Sequence, residues 1–207
     1  DEVNGSIKEF NKRPIKRLND LGFLSENVLA VHSANLNAED LDILAKTRPN
    51  IIHCPESNMK LASGTCPVEK LRALGLNVAL GTDSVASNND LDMFSEMRSA
   101  ALLAKITTLN PESLQAIDTI GLATLNGAKA IGLEDKIGSL KPGKAADFIA
   151  IAMQDIEMLP VYEPTAQIVY SSNRQQVKDV WVNGKQLMHE RNLLTIDEQE
   201  LKQKAIY

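Results

Sequence analysis

The sequence predicts an α/β fold in which short parallel strands alternate with helices, followed by a smaller region rich in β-structure. Three short apolar runs, at residues 28–32, 51–53 and 77–81, each precede a segment whose apolar residues have helical spacing. Runs of this kind are typical of strands buried on both faces of a parallel sheet. After residue 136 the helical spacing gives way to apolar runs separated by turn sequences. This change predicts a second, β-rich region.

Helices are predicted before and between the apolar runs. Residues 1–20 predict two helices, the second starting at Pro14 and ending at Gly22. Asn37, with Asp40 three residues further on, predicts the N-terminus of the helix that follows the first run. Alternation of strand and helix with short links favours βαβ units.

The later links carry further signals. We expect a loop at residues 55–65, and a short helix that begins after Pro67. Asn88 or Asn89 is expected to cap the next helix, and residues 111–132 are expected to be helical again.

The β-rich region is predicted to contain four strands. Apolar runs at residues 148–151, 168–170 and 177–182 predict three of them, with Trp181 in the core between sheets. Asn183-Gly184 predicts a tight hairpin to the fourth, at residues 185–188. Residues 195–207 predict a helical tail, acidic at its start and basic at its end.

The composition narrows the class of protein. The 207 residues are 43% hydrophobic and 24% charged, with a net charge of −5, which is ordinary for a globular protein and argues against a nucleic-acid partner. No apolar run approaches the ~20 residues of a membrane span, and the first residues do not resemble a signal peptide. Cys54 and Cys66 make no disulfide framework. These observations predict a cytoplasmic protein with no membrane partner.

The three strand ends carry residues suited to chemistry. His32, His53 and Asp83 each stand at the carboxyl end of a predicted strand. Functional residues of a parallel α/β barrel lie at this end, where the loops to the helices begin. A complete barrel needs about 250 residues, so the units seen here predict its last part.

Imidazole and carboxylate are donors that suit Zn²⁺ or Fe²⁺ with a coordination position left for water. A metal lowers the pKa of that water, and a neighbouring His or Asp can move its proton. His189 is predicted to be a surface residue. The sequence contains no His-x-His, so a catalytic metal site needs further ligands from elsewhere. A buried histidine can also be a satisfied core residue, so a structural role for these side chains remains an alternative.

At these residues the chain resembles the amidohydrolase superfamily, in the branch of 5-methylthioadenosine/S-adenosylhomocysteine deaminases and related chlorohydrolases. The similarity lies in the order and spacing of six segments and covers nearly the whole chain. The segments are residues 30–32, 53–64, 80–83, 87–98, 123–128 and 138–147.

The resemblance implies the C-terminal part of a (β/α)₈ TIM-type barrel, at residues 1–135, then strands of a small composite β-sandwich, at residues 136–190, and a helical tail at residues 191–207. It implies one divalent metal, most often zinc, and hydrolytic deamination at C6 of a purine nucleoside. His32 and Asp83 match metal ligands. Asp83 also matches the acceptor of the water proton and contacts substrate, and His53 matches the histidine that orients the attacking group.

The chain departs from the family pattern at several points. The His-x-His metal pair and a substrate-binding histidine expected just before residue 1 are both absent. Asn35 stands where relatives often have a substrate-binding Glu, and Ser84 stands where they usually have Gly. We therefore expect the fragment alone to be inactive, and to require the missing N-terminal half of the barrel.

Other interpretations remain open at this point. The full-length protein could be a guanine deaminase or a triazine chlorohydrolase, or a non-catalytic barrel protein in which His32, His53 and Asp83 are structural. A homo-oligomer is possible. The residue Cys54, beside His53, is predicted to be a packed thiol rather than a nucleophile, because Pro55 follows and no separate base is evident.

Overall fold

A computed structural model describes residues 2–205, and the chain folds into an α/β region followed by an antiparallel sheet. The predicted fold class, α/β with a β-rich second region, is confirmed at this level. Among residues 2–205, no helix has both the length and the apolar content needed to cross a membrane.

The first sheet contains three parallel strands in the order β1-β2-β3. They are β1 (Leu29–Val31), β2 (Asn50–His53) and β3 (Val78–Leu80). Ala30 lies opposite Ile51, and Ile51 opposite Val78, so the strands are in parallel register. Ile51 and all of β3 are buried, as expected for a strand covered on both faces.

Ten helices flank or follow these strands in the described part of the chain, residues 2–205. They are α1 (Glu2–Phe10), α2 (Pro14–Asp20), α3 (Ala38–Thr47), α4 (Pro55–Lys60), α5 (Val68–Ala73), α6 (Met93–Thr108), α7 (Ala116–Ala123), α8 (Leu125–Ala130), α9 (Pro164–Tyr170) and α10 (Glu198–Ala205). Short 3₁₀ turns occur at Ile156–Met158 and Arg174–Gln176.

The start of α3 has the predicted capping box. The Asn37 side chain accepts a hydrogen bond from the backbone N–H of Asp40 at 2.8 Å, and the Asp40 carboxylate accepts one from the backbone N–H of Asn37 at 3.0 Å. Asp40 is buried and also pairs with Arg13 at 2.6 Å, at the start of α2. This contact ties the N-terminal helices to the helix between β1 and β2.

Two sequence expectations in this region are wrong, and a third is confirmed in part. Residues 55–60 of the expected loop form α4, because Pro55 occupies the first helical turn and the N–H of Asn58 bonds to the carbonyl of Cys54. The cap of α6 is Asp92, whose side chain accepts from the N–H of Phe94 at 2.9 Å, since the positive φ of Asn89 does not suit an N-cap. The expectation of helix at residues 111–132 is confirmed for α7 and α8, which are separated at Thr124.

The second sheet has four antiparallel strands in the order β4-β5-β6-β7. They are β4 (Phe148–Ile151), β5 (Val177–Val182), β6 (Lys185–His189) and β7 (Asn192–Leu193). Asn183 and Gly184 both have positive φ, at 49° and 74°, which gives the hairpin turn that the sequence predicts. The Trp181 ring is half-buried and stacks on Phe148 with centroids 4.5 Å apart.

The strand predicted at residues 168–170 is wrong, because these residues belong to α9. Glu163 caps this helix by accepting from the N–H of Thr165 at 2.9 Å, and Pro164 occupies the first turn. Val169 is fully buried against the core that contains Leu71 and Val78. A short apolar run does not by itself distinguish a strand from a helix. The tail helix is present as α10, and residues 1, 206 and 207 lie outside the described part.

Gly81 follows β3 at a position where a side chain does not fit. A Cβ there would lie 2.9 Å from Ile52 Cγ2 and 3.4 Å from Cys54 Sγ. The backbone N–H of Gly81 also donates to the carbonyl of His53 at 3.0 Å, so the chain cannot move away without losing this bond.

We expect Gly81→Ala to lower the free energy of unfolding by about 1–3 kcal/mol because of this overpacking. Gly121→Ala is the control, since Gly121 lies in α7 with open space around it, and Ala there should stabilise by up to about 1 kcal/mol. Chemical denaturation measures the free energy of unfolding of both variants. In an Ile52→Ala background the cost of Gly81→Ala should shrink, and an undiminished cost would contradict the steric explanation.

Candidate functional site

The carboxyl ends of β1, β2 and β3 bring the predicted site residues to one edge of the sheet. His32 follows β1, His53 ends β2, and Asp83 follows β3. The N–H of His32 donates to the carbonyl of Ile52 at 2.9 Å, so strand pairing continues to the site. His32 Nε2 lies 3.7 Å from Asp83 Oδ2. The structure therefore places an imidazole and a carboxylate next to each other, as expected from parallel strands.

His32 is held in an uncommon backbone conformation. Its φ is 67°, and that of Ser33 is 46°, both in the left-handed region that few non-glycine residues occupy. The Nδ1 atom of His32 lies 2.9 Å from Oδ1 of the buried Asn58. An amide oxygen only accepts, so this contact leaves the proton on Nδ1 and the lone pair on Nε2, toward Asp83.

Asp83 is an ionised carboxylate supported by two hydroxyl groups. Its Oδ2 accepts from Ser87 Oγ at 2.6 Å and from Ser57 Oγ at 2.7 Å. These two bonds, from Ser87 first and Ser57 next, lower the pKa of Asp83 to about 2. Its backbone φ is also positive, at 61°. The carboxylate is thus ionised, and available as a ligand, over the whole neutral range.

His53 is a buried, neutral imidazole. It is 1% exposed, and burial, followed by the neighbouring His32, lowers its pKa to about 4. Within residues 2–205 its Nδ1 atom has no hydrogen-bond partner. Buried polar groups nearly always have a partner in native proteins, so an unpartnered ring nitrogen points to a group that another molecule or ion satisfies.

Cys54 is confirmed as a packed thiol. It is buried, and burial raises its pKa to about 12, so no thiolate is present near neutral pH. His189 is exposed, as expected, and its Nδ1 lies 2.7 Å from Asp179 Oδ1 on the antiparallel sheet. Cys54 thus packs at the strand ends without a reactive thiolate, and His189 lies on the other sheet.

Asn35 and Ser84 lie at the edges of this cluster. The Asn35 side chain is exposed and donates from Nδ2 to the carbonyl of Ser63 at 2.8 Å, so it links the loops after β1 and after α4. Ser84 is exposed next to Asp83, with its Oγ 3.5 Å from Ser87 Oγ. The contact with substrate predicted for Asn35 remains a prediction.

The sequence reasoning missed four polar residues that support the site. Ser57 and Ser87 contact Asp83, Asn58 contacts His32, and Glu96 lies fully buried on α6. All four fall in segments that carry the family resemblance, yet no spacing rule links them to the strand ends. Ser57 and Asn58 reach the strand ends because residues 55–60 form α4 and not the expected loop, whereas Ser87 reaches Asp83 from the loop after β3.

His32 and Asp83 fit as part of a metal site. Zinc accepts imidazole nitrogen and carboxylate oxygen, and His32 Nε2 lies 3.7 Å from Asp83 Oδ2. Within residues 2–205, no group of three or more His, Cys, Asp or Glu side chains could hold a metal. His32 and Asp83 are thus two candidate donors, fewer than a catalytic zinc site needs.

The model of the amidohydrolase family matches residues 2–187. This match covers most of the chain, so the chain belongs to the amidohydrolase family, as the resemblance at the strand ends implied.

Particular relatives are similar over nearly the whole chain. A protein of Teredinibacter turnerae named 5-methylthioadenosine/S-adenosylhomocysteine deaminase is 50% identical over 201 residues, which cover 97% of this chain and 46% of that protein. A 5′-deoxyadenosine deaminase of Methanosarcina mazei is 42% identical, over 99% of this chain and 47% of that protein. The chain thus spans about half the length of the curated relatives it matches.

Solved structures give the same result for the fold. The crystal structure of an adenosine deaminase from Xanthomonas campestris with bound zinc matches with a TM-score of 0.96 and 42% identity, over 99% of this chain and 46% of that one. Atrazine chlorohydrolase from Arthrobacter aurescens, in complex with zinc, matches with a TM-score of 0.92 at 23% identity, over 98% of this chain and 45% of that one. The second similarity concerns the fold alone.

Glu96 gives the protein a testable pH dependence. Its Oε2 accepts from the backbone N–H of Glu56 at 3.2 Å, and its Oε1 accepts from the Asn88 side chain. Burial, above all other causes, raises its pKa from 4.5 to about 7. Between these values the folded state keeps a proton that the unfolded state has lost. Stability contributed by this group therefore falls as pH rises through this window.

Above this pH window, the raised pKa of Glu96 lowers the free energy of unfolding by about 3 kcal/mol. We expect Glu96→Gln to remove this loss of stability. The measurement is the difference between variant and wild-type free energies of unfolding at a series of pH values. Glu39→Gln, on the exposed face of α3, changes the net charge equally and serves as the control for charge. If the free energies of unfolding of the wild type and of Glu96→Gln changed with pH in parallel, the pKa of Glu96 would not be raised in the folded state.

Proposed function

We propose that this chain supplies His32, His53 and Asp83 to the active centre of a metal-dependent nucleoside deaminase. In the complete protein, water replaces the amino group at C6 of an adenosine-type nucleoside, which gives the inosyl product and ammonia. The observation that carries this proposal is the meeting of His32 Nε2 and Asp83 Oδ2, 3.7 Å apart, beside the buried neutral His53.

Each of these residues has a distinct proposed role. His32 and Asp83 bind one divalent metal, for which zinc is the first choice, because the adenosine deaminase structure at 42% identity contains it. Such a metal, when bound, makes hydroxide available from water near neutral pH. Asp83 is an ionised carboxylate that can take the proton of the attacking water at its carboxylate oxygens and return it to the leaving amine.

His53 suits the orientation of the attacking group. Because its pKa is about 4, the ring is neutral at pH 7 and keeps both a donor and an acceptor nitrogen. Burial on β2 fixes the ring, and its unpartnered Nδ1 is free to bond to a ligand. Asn35 is proposed to contact the substrate by its amide, although it lacks the proton-exchange capacity of a carboxyl group.

The choice of substrate rests on the relatives. Those with at least 42% identity cited above are named as deaminases of adenosine-type nucleosides, including 5-methylthioadenosine and S-adenosylhomocysteine. The chlorohydrolase similarity, at 23% identity, concerns the fold alone and carries no argument for that substrate.

We further propose that residues 1–135 form the last part of a (β/α)₈ barrel, that residues 136–190 complete part of a β-sandwich and that residues 191–207 form a tail. Exposed apolar side chains on the outer face of α6 support the proposal that another part of the complete protein covers this helix. An apolar groove of about 630 Å³ runs along it, and Leu102, Ile106 and Leu109 are 51%, 66% and 85% exposed. Exposed apolar surface of this extent is typical of a face that another element covers.

Metal content tests the ligand roles directly. We expect the full-length protein to bind about one zinc per chain, and His32→Ala or Asp83→Ala to weaken zinc binding strongly, because each removes a donor. His189→Ala is the matched control, since it removes an exposed histidine on the antiparallel sheet, and it should keep the zinc. Elemental analysis after dialysis gives the ratio. An active wild-type preparation without metal would refute the mechanism.

A substrate panel tests the reaction. We expect the full-length protein to release ammonia from 5′-methylthioadenosine or S-adenosylhomocysteine, and the 207-residue chain alone to show no robust turnover, because it holds only part of the donor set. Guanine and a chlorotriazine complete the panel. Preferential turnover of guanine or of the chlorotriazine would overturn the proposed substrate. Robust activity of the 207-residue chain would overturn its proposed inactivity in isolation.

A further inference from the structure

Helix α4 places two neighbouring polar side chains against the two candidate metal ligands. Ser57 donates from Oγ to Asp83 Oδ2 at 2.7 Å, and Asn58 Oδ1 lies 2.9 Å from His32 Nδ1. Both residues are buried, at 0% and 1% exposure. Consecutive residues of one short helix therefore reach ligands that come from two different strands, β1 and β3.

The geometry of α4 explains how this is possible. The helix begins at Pro55, immediately after His53 and Cys54, and its first turn lies over the carboxyl ends of the strands. The N–H of Asn58 bonds to the carbonyl of Cys54 at 3.0 Å, and the N–H of Ser63 bonds to the carbonyl of Asn58 at 2.9 Å. The backbone at Asn58 is thus fixed on both sides, so its side chain has little freedom to leave His32.

The contact to Asn58 defines which nitrogen of His32 is free. With the amide oxygen at Nδ1, the ring proton lies on Nδ1 and the Nε2 lone pair faces Asp83 at 3.7 Å. Histidines that bind metals usually donate their other N–H to an oxygen acceptor, which fixes the tautomer and the ring orientation.

Both contacted ligands are also in a strained backbone conformation. His32 and Asp83 have φ of 67° and 61°, in the left-handed region that few non-glycine residues occupy. His32 and Asp83 thus combine an uncommon backbone conformation with a side-chain bond from α4.

We propose that Asn58 and Ser57 are positioning residues of the metal site: Asn58 selects the Nδ1–H tautomer of His32, and Ser57 orients the Asp83 carboxylate toward the same point. This inference rests on the proposed metal-dependent function and adds the source of ligand orientation within this chain.

A second property of Asn58 makes it possible to test its role as a hydrogen-bond acceptor separately from its role in packing. Within residues 2–205 its Nδ2 group is buried and has no hydrogen-bond partner. Replacement of this amide by a carboxylate therefore keeps the acceptor for His32 and breaks no bond made by Nδ2. Asn58→Asp is the conservative variant, whereas Asn58→Leu keeps a similar volume and removes the acceptor.

The tautomer is measured on metal-free full-length protein by long-range ¹H–¹⁵N correlation of its histidines, at alkaline pH where imidazole is neutral. We expect the Nδ1–H form of His32 in the wild type and in Asn58→Asp, and loss of this preference in Asn58→Leu. A signal for Nε2–H in the wild-type protein would overturn the assignment to Asn58, whatever the variants do.

Zinc affinity is the second readout, measured by competition with a chromophoric chelator. We expect Asn58→Leu and Ser57→Ala to weaken binding by about 10- to 100-fold, as loss of such supporting bonds does in other metal sites. Asn58→Asp should stay close to the wild type. The matched control is Ser99→Ala, because Ser99 makes a similar 2.8 Å bond to the carboxylate of Glu56, which is not a candidate ligand.

The results separate failure of this inference from failure of the proposed function. Wild-type protein that binds no zinc would refute the metal-dependent function itself. Wild-type protein that binds zinc, with Asn58→Leu and Ser57→Ala equally tight and the tautomer unchanged, would refute the positioning role alone. If Asn58→Leu does not fold, as judged by circular dichroism, the wild-type tautomer and the contrast between Ser57→Ala and Ser99→Ala decide the matter.

Discussion

Parallel pairing of three short strands is the constraint on which the rest of the structure depends. Backbone bonds from His32 to Ile52, and from Gly81 to His53, keep β1, β2 and β3 in register up to their carboxyl ends. Residues that are far apart in sequence, such as His32 and Asp83, therefore meet without any direct link between their loops. The tight space at Gly81 shows how closely the strand ends approach one another.

This arrangement has an energetic cost that lies at the site itself. Positive φ at His32 and Asp83 costs about 1–3 kcal/mol for each residue, and the unpartnered Nδ1 of the buried His53 adds a further penalty. The compensation comes from nearby: hydroxyl groups bond to Asp83, an amide bonds to His32, and β3 is buried along its whole length. A site that stores strain in this way keeps its donors in place before any ligand binds.

The sequence predicted the features that follow from local pattern. Strand ends, the Asn37 capping box and the Asn183-Gly184 hairpin each depend on a few adjacent residues, and each is present. Three features could not be predicted from local pattern: helix α4, the helical conformation of residues 168–170 and the Asp92 cap of α6. A short apolar run fits a strand or a helix equally, and the choice is made by burial of Val169 in the shared core.

The contacts of Ser57 and Asn58 were beyond prediction for a related reason, since a loop and a helix at residues 55–60 direct side chains differently. This difference bears on how the site works. The two candidate ligands are oriented by side chains of the same chain, so their geometry does not depend on donors supplied from elsewhere. In the proposed site, metal affinity would depend on such donors, because two protein ligands are too few for a catalytic zinc site. Orientation and affinity would thus have separate origins in the complete protein.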